Sequence, residues 1–171
     1  MTKKESFEKF VEWSKEKLPT IKGNNFLEIG CSDGWKQDSW SKYQIDVQGM
    51  DIDEKKVNIV RDMNRAAHVM DMEKMDKDNY SAIFCFHILE LSKKSIFDSV
   101  DSMLNALAEK GRLYIATGGD GGKYEVDIEG MMDYLREHKD LTIIDEKISM
   151  DDNGSYWVVV EKETFIPELH I

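Results

Sequence analysis

Apolar residues recur along this chain with two periods, and the switching between them outlines the elements. Phe7, Phe10, Val11, Ser14 and Leu18 fall at helical spacing with Lys and Glu between them, which predicts an amphipathic covering helix over residues 4–18, ended by Pro19. Trp13 stands off that stripe and is expected to face a partner or the rim of a site. The next apolar run, Phe26-Leu27-Glu28-Ile29, stops abruptly at Gly30-Cys31-Ser32-Asp33-Gly34, as a buried strand entering a tight loop would. Residues 33–43 read as a helix that brings Trp35, Ser39 and Trp40 near one another, and residues 45–51 as a second strand. Asp53-Glu54-Lys55-Lys56-Val57 then opens a helix with acids in its first turn and lysines after them, as the helix dipole favours.

The second half continues the alternation. Residues 66–71 form a third expected strand, and residues 82–86 a fourth, almost wholly apolar as a central strand covered on both faces should be. Ile96, Val100, Met103, Leu104 and Leu107 keep a helical stripe up to Gly111, the expected carboxyl-terminal cap. Residues 113–116 are the fifth strand. Thr117-Gly118-Gly119-Asp120-Gly121-Gly122, the most glycine-rich stretch, is expected to be a mobile loop at the same edge as the first glycine loop. A helix over 126–138 turns Met131, Met132 and Leu135 inward, and strands over 141–148 and 156–161 flank the hairpin turn Asp151-Asp152-Asn153-Gly154. Helix-sized connections between the early strands are the signature of a parallel sheet, so the pattern predicts an α/β fold of about seven strands.

Composition narrows the class. A chain of 171 residues suits one domain, 1–171, burying about 70% of its unfolded surface. A formal charge of -11 disfavours nucleic acid, whose binding is built from clustered Lys and Arg. Cys31 and Cys85 give neither a disulfide framework nor metal-ligand spacing, and His68, His138 and His170 lie apart, so no metal site is expected. The start, Thr2-Lys3-Lys4-Glu5-Ser6, is not that of a signal peptide, and no apolar run approaches the ~18 residues of a membrane span. The expectation is a cytoplasmic protein without a membrane partner.

Candidate chemistry concentrates at the first loop. Gly30 and Gly34 permit positive φ and close backbone approach of a ligand at the carboxyl end of a strand. The loop lacks the G-x-G-x-x-G of a dinucleotide site, because Ser32 stands at the middle glycine position. Phe26-Leu27-Glu28-Ile29-Gly30-Cys31-Ser32-Asp33-Gly34 instead resembles motif I of the class I S-adenosylmethionine-dependent methyltransferases. The resemblance extends in order through Val47-Gln48-Gly49-Met50-Asp51-Ile52-Asp53, His68-Val69-Met70-Asp71-Met72, the run from Tyr80 to Glu90 and the run from Glu109 to Ile115, covering roughly residues 20–120. It implies a doubly wound, mostly parallel seven-stranded Rossmann-like sheet with an antiparallel last strand, and S-adenosyl-L-methionine as cofactor.

Within the resemblance, Asp51 is the acid that grips the ribose hydroxyls and Asp71 the one that meets the adenine amino group, while an acid at a strand end is also an ordinary helix cap. Glu28 would order the loop or meet the cofactor's amino group through water; a charge in a buried strand is costly without partners. Gly30, Cys31, Ser32 and Gly34 would form the loop beneath the cofactor. Ile52 and Met72 would sandwich the purine, although Met70, Met72 and Met75 read as core first. Phe86 would contribute to the cofactor site and, with His87 and the Gly118 to Gly122 loop, stand beside the acceptor, His87 as a candidate base. Phe86-His87-Ile88-Leu89 replaces the Asn-Pro-Pro-Tyr-type tetrad, which argues against amino methylation by that branch. The acceptor is a small molecule or a protein side chain, and a homo-oligomer or protein partner stays open. Two other readings remain: a non-catalytic cofactor-binding module or activating subunit of another methyltransferase, and a nicotinamide-dependent reductase, disfavoured by the loop.

Overall fold

In the computed structural model of the chain, the described residues are 1–21, 23, 25–77, 79–119 and 126–164. They build α1 (Lys3–Lys15), β1 (Phe26–Ile29), α2 (Trp35–Ser41), β2 (Gln48–Asp51), α3 (Glu54–Asp62), β3 (Ala67–Val69), β4 (Tyr80–Phe86), α4 (Ile96–Ala106), β5 (Leu107–Thr117), α5 (Ile128–Glu137), β6 (Leu141–Ser149) and β7 (Ser155–Lys162). The seven strands form one sheet in the order β3-β2-β1-β4-β5-β7-β6. β3, β2, β1, β4 and β5 run parallel, whereas β7 pairs antiparallel with both β5 and β6.

The two apolar periods explain the layers. β4 is buried at every residue because its alternate side chains feed opposite faces: Ile83 and Cys85 join the core beneath α4 and α5, while Ala82, Phe84 and Phe86 join an aromatic core with Phe7, Phe10, Trp40 and Trp157. α1 supplies Phe7, Phe10 and Val11 to the second core, and its first turn is closed by a capping box in which Thr2 and Glu5 bond each other's backbone amides. Trp13 belongs to this fold rather than to a partner surface: its ring lies 5.6 Å from Trp157 and its indole N–H donates to Asp145 at 3.1 Å.

Two expectations about the second half change. α4 ends at Ala106, and Gly111 lies inside β5 instead of capping the helix. The register jumps there, with Leu107 opposite Tyr80 but Arg112 opposite Ala82. A Cβ on Gly111 would stand 2.8 Å from the Ala108 carbonyl and 3.0 Å from that of Tyr80, so the glycine marks a bulge where backbones touch. The hairpin is as expected, with Asn153 and Gly154 at φ 53° and 78°. Of the glycine-rich loop, Thr117 and the Gly118 amide are held by the Glu90 carboxylate at 3.0 and 2.8 Å, while residues 120–122 lie outside the described residues, as does His170.

Candidate functional site

β1 leads by a crossover to β2 on one side, while its other neighbour is β4, so the connections part between β1 and β4. In an open α/β sheet the crevice at the carboxyl ends of the strands at such a point is where ligands bind. A cavity of about 530 Å³ lies there, lined among others by Gly30, Ser32, Asp51, Ile52, Asp71 and Met72. That volume lies within the range of small-molecule sites, roughly 300–1,000 Å³.

The loop is shaped for this by three left-handed residues, Gly30, Ser32 and Gly34, at φ 69°, 50° and 95°. The turn lifts the Ser32 amide to donate to Asp51 Oδ2 at 3.1 Å, and the Asp53 amide donates to Oδ1 at 3.0 Å. Asp51 is therefore oriented before any ligand arrives, and each carboxylate oxygen keeps a lone pair for a further donor. Asp71 sits just past β3, where its Oδ1 accepts from the Glu73 amide at 2.9 Å. The acids thus gather at the β2 and β3 end of the cavity, and Ile52, 58% exposed, and the half-buried Met72 offer apolar surface beside them.

Four expected cofactor residues stand outside that lining. Cys31 packs inward with Val57, Val60 and Ala67, and its side chain lies so close to Gly49 that a Cβ there would come within 2.6 Å. Gly34 faces α3, since an added Cβ would meet Met63 at 2.9 Å. The Phe86 ring is wholly buried 5.1 Å from Phe7 and 5.2 Å from Phe10. Glu28 is fully buried, 3.9 Å from Lys36 and without a well-formed hydrogen bond on either oxygen; burial, only partly opposed by Lys36 and the neighbouring Trp40 indole, pushes its pKa up to about 8. Burial likewise raises the Cys31 thiol to about 11 and the Cys85 thiol to about 12, which leaves neither a ready nucleophile.

His87 is also outside the cavity lining. Its Nδ1 lies 3.1 Å from Glu90 and its Nε2 2.5 Å from Asp152, which also accepts from Ser155 and Trp157. Burial would lower its pKa, but the two carboxylates overcome that and raise it to about 9. The imidazole holds its proton at neutral pH and lacks the lone pair a general base uses. At φ 52°, it clamps the end of β4 to the β6–β7 hairpin.

The sequence reading missed Lys36, Trp35, Ile88 and Leu91 on the cavity wall. Ile88 packs over Gly30, where a Cβ would meet its Cδ1 at 2.6 Å. The only sequence signal was position, since Ile88 and Leu91 follow the β4 end, where a site of this fold opens. Among the described residues no group of three or more His, Cys, Asp or Glu is placed to hold a metal.

Comparison with known proteins agrees with this geometry. A family model described as "Methyltransferase domain" matches residues 27–115. No curated protein matches the chain. Among solved structures, the magnesium protoporphyrin IX methyltransferase ChlM from Synechocystis PCC 6803 with bound SAM is similar at TM-score 0.72 and 16% identity, over 94% of this chain and 79% of that one. The N-methyltransferase NodS from Bradyrhizobium japonicum WM9 is similar at 0.68 and 15%, over 94% and 96%. The [4+2]-cyclase SpnF is similar at 0.75 and 13%, over 92% and 81%. At these identities the structures establish the fold alone, and the cyclase among them is a reminder that this fold carries more than one chemistry. With a family model spanning more than half of its residues and a doubly wound sheet to match, the chain belongs to the class I S-adenosylmethionine-dependent methyltransferases.

Proposed function

We propose that residues 1–171 form one domain that binds S-adenosyl-L-methionine in the cavity at the β1–β4 switch and transfers its methyl group to a small molecule or a protein side chain. The observation that carries this is Asp51, oriented by the Ser32 and Asp53 amides at the tip of β2, with Asp71 beyond β3 on the same cavity. Asp51 accepts from the ribose hydroxyls and Asp71 from the adenine amino group, with Ile52 and Met72 against the purine. When bound, the cofactor supplies an activated methyl on a sulfonium. The chain's part is then positioning and exclusion of water, for which the Trp35, Ile88 and Leu91 side of the cavity provides an apolar wall. No side-chain base is required of His87 in this reading, because its proton is held between Glu90 and Asp152.

Calorimetric titration with S-adenosylhomocysteine beside NAD tests the cofactor. Micromolar binding of the first and none of the second is expected, and silence with folded protein would sink the assignment. Asp51→Ala should weaken S-adenosylhomocysteine by about ten- to a hundredfold, the effect of losing hydrogen bonds to a charged group. An unchanged affinity would mean the ribose is held elsewhere. Turnover with an acceptor panel then separates an enzyme from a binding module.

A further inference from the structure

Lys36 is the third residue on from Asp33 in a polar stretch, yet it is 1% exposed. α2 carries its side chain inward, between the rings of Phe7, Trp35 and Phe86, each centroid 5.7–5.9 Å from Nζ. The ammonium reaches the tips of β1 and β4, where it donates to the Ile29 and Phe86 carbonyls, both at 3.4 Å. Lys36 and Ile29 both line the cavity.

This charge is poorly satisfied. Three ammonium donors meet two carbonyls at the far edge of hydrogen-bond range, and the nearest carboxylate oxygen, on Glu28, is 3.9 Å away. Nor is the pair closed from the other side, since neither Glu28 oxygen has a well-formed hydrogen bond and burial favours its neutral form. Burial lowers the Lys36 pKa, an effect Glu28 only partly opposes, and Lys3, also on the cavity, adds a repulsive positive charge. A buried cation is costly unless it is closely paired, and here the ion pair with Glu28 and both carbonyl contacts are long. An anionic group entering the cavity would complete the pairing.

The acids fix which end of the ligand supplies it. Asp51 and Asp71 hold the adenosine over β2 and β3, which leaves the amino-acid arm to extend toward the tips of β1 and β4. Resting on the cofactor reading above, we propose that Lys36 binds the α-carboxylate of the S-adenosyl ligand and so selects the complete cofactor against analogues that lack the amino-acid end. The role comes from the inward turn of one side chain and belongs to no residue of the glycine loop.

The test is calorimetric titration of the wild type and Lys36→Met with S-adenosylhomocysteine and with 5′-methylthioadenosine, a thioether of the same nucleoside without the amino-acid end. The wild type should prefer S-adenosylhomocysteine. Lys36→Met should lose about ten- to a hundredfold on it and less than about threefold on 5′-methylthioadenosine. Equal losses on both ligands, or no loss on either, overturn the proposal. If Lys36→Met does not fold, Glu28→Gln/Lys36→Met, which leaves no charge in the buried pair, is read against Glu28→Gln with the same two ligands and the same expectations. A wild type that binds both ligands equally defeats the role of Lys36 and leaves the cofactor reading standing. One that binds neither defeats the cofactor reading and the proposal with it.

Discussion

At the scale of single residues, the acids and His87 illustrate two uses of a carboxylate. Asp51 is held by backbone amides and keeps capacity for a ligand, whereas Asp152 spends its own on His87, Ser155 and Trp157, and one Glu90 oxygen meets His87, Thr117 and the Gly118 amide. The imidazole pKa is raised from 6.5 to about 9, so its contribution to stability is fully present below about pH 6.5 and is lost as pH rises through about 9. The Glu90 and Asp152 pKa values are lowered, despite the opposing effect of burial, by hydrogen bonds and attraction to His87; their contribution is present above ordinary carboxylate values and lost on acidification. A shift of this size in His87 corresponds to on the order of 3 kcal/mol. The melting temperature should therefore fall between pH 7 and pH 9.5 in the wild type, and His87→Gln should melt lower at pH 7 with that fall reduced. Parallel pH profiles for the two proteins would show that the clamp does not carry charge. Asp51 and Asp71 were legible in the sequence through the family resemblance, since by position alone an acid at a strand end is also an ordinary helix cap. Lys36 was not, because a lysine among polar residues reads as solvated until packing turns it inward.

At the scale of elements, the glycine loop shows how a turn and its neighbour fit each other. Gly30 was expected to leave room for a ligand, but the space its Cβ would fill holds Ile88 from the turn after β4. Gly30→Ala carries two costs: about 1–2 kcal/mol for a side chain in left-handed conformation, and the contact with Ile88. In a double-mutant cycle followed by urea unfolding, Gly30→Ala should destabilise an Ile88→Ala background less than the wild type, with the conformational part remaining. Equal costs in both backgrounds would mean that Ile88 yields freely and only φ matters. The elements themselves were largely legible, because both apolar periods run long enough to declare a face. Their ends were less so: Gly111 was read as a cap where a bulge in β5 needs it, since one glycine serves either purpose and the close carbonyls of Ala108 and Tyr80 are visible only in the folded chain.

At the scale of the whole molecule, the charge of -11 makes a clear expectation: no gel shift with duplex DNA or RNA at physiological salt, since no basic stripe is present to release counterions. A salt-dependent shift would overturn it. Among the described residues no helix is long and apolar enough to cross a membrane. The sequence by itself determined the parallel α/β frame and the glycine loop after the first strand, because each is written in a local period or a turn signal, and it pointed to the strand-end acids through the family resemblance. Only the tertiary structure decided which loop residues face the cavity, that Phe86 belongs to an aromatic core, that Lys36 is buried, and that His87 meets an aspartate 65 residues away. A local pattern records that a residue has a buried side. Which distant group arrives to meet it depends on how the sheet is ordered and how the helices pack against it.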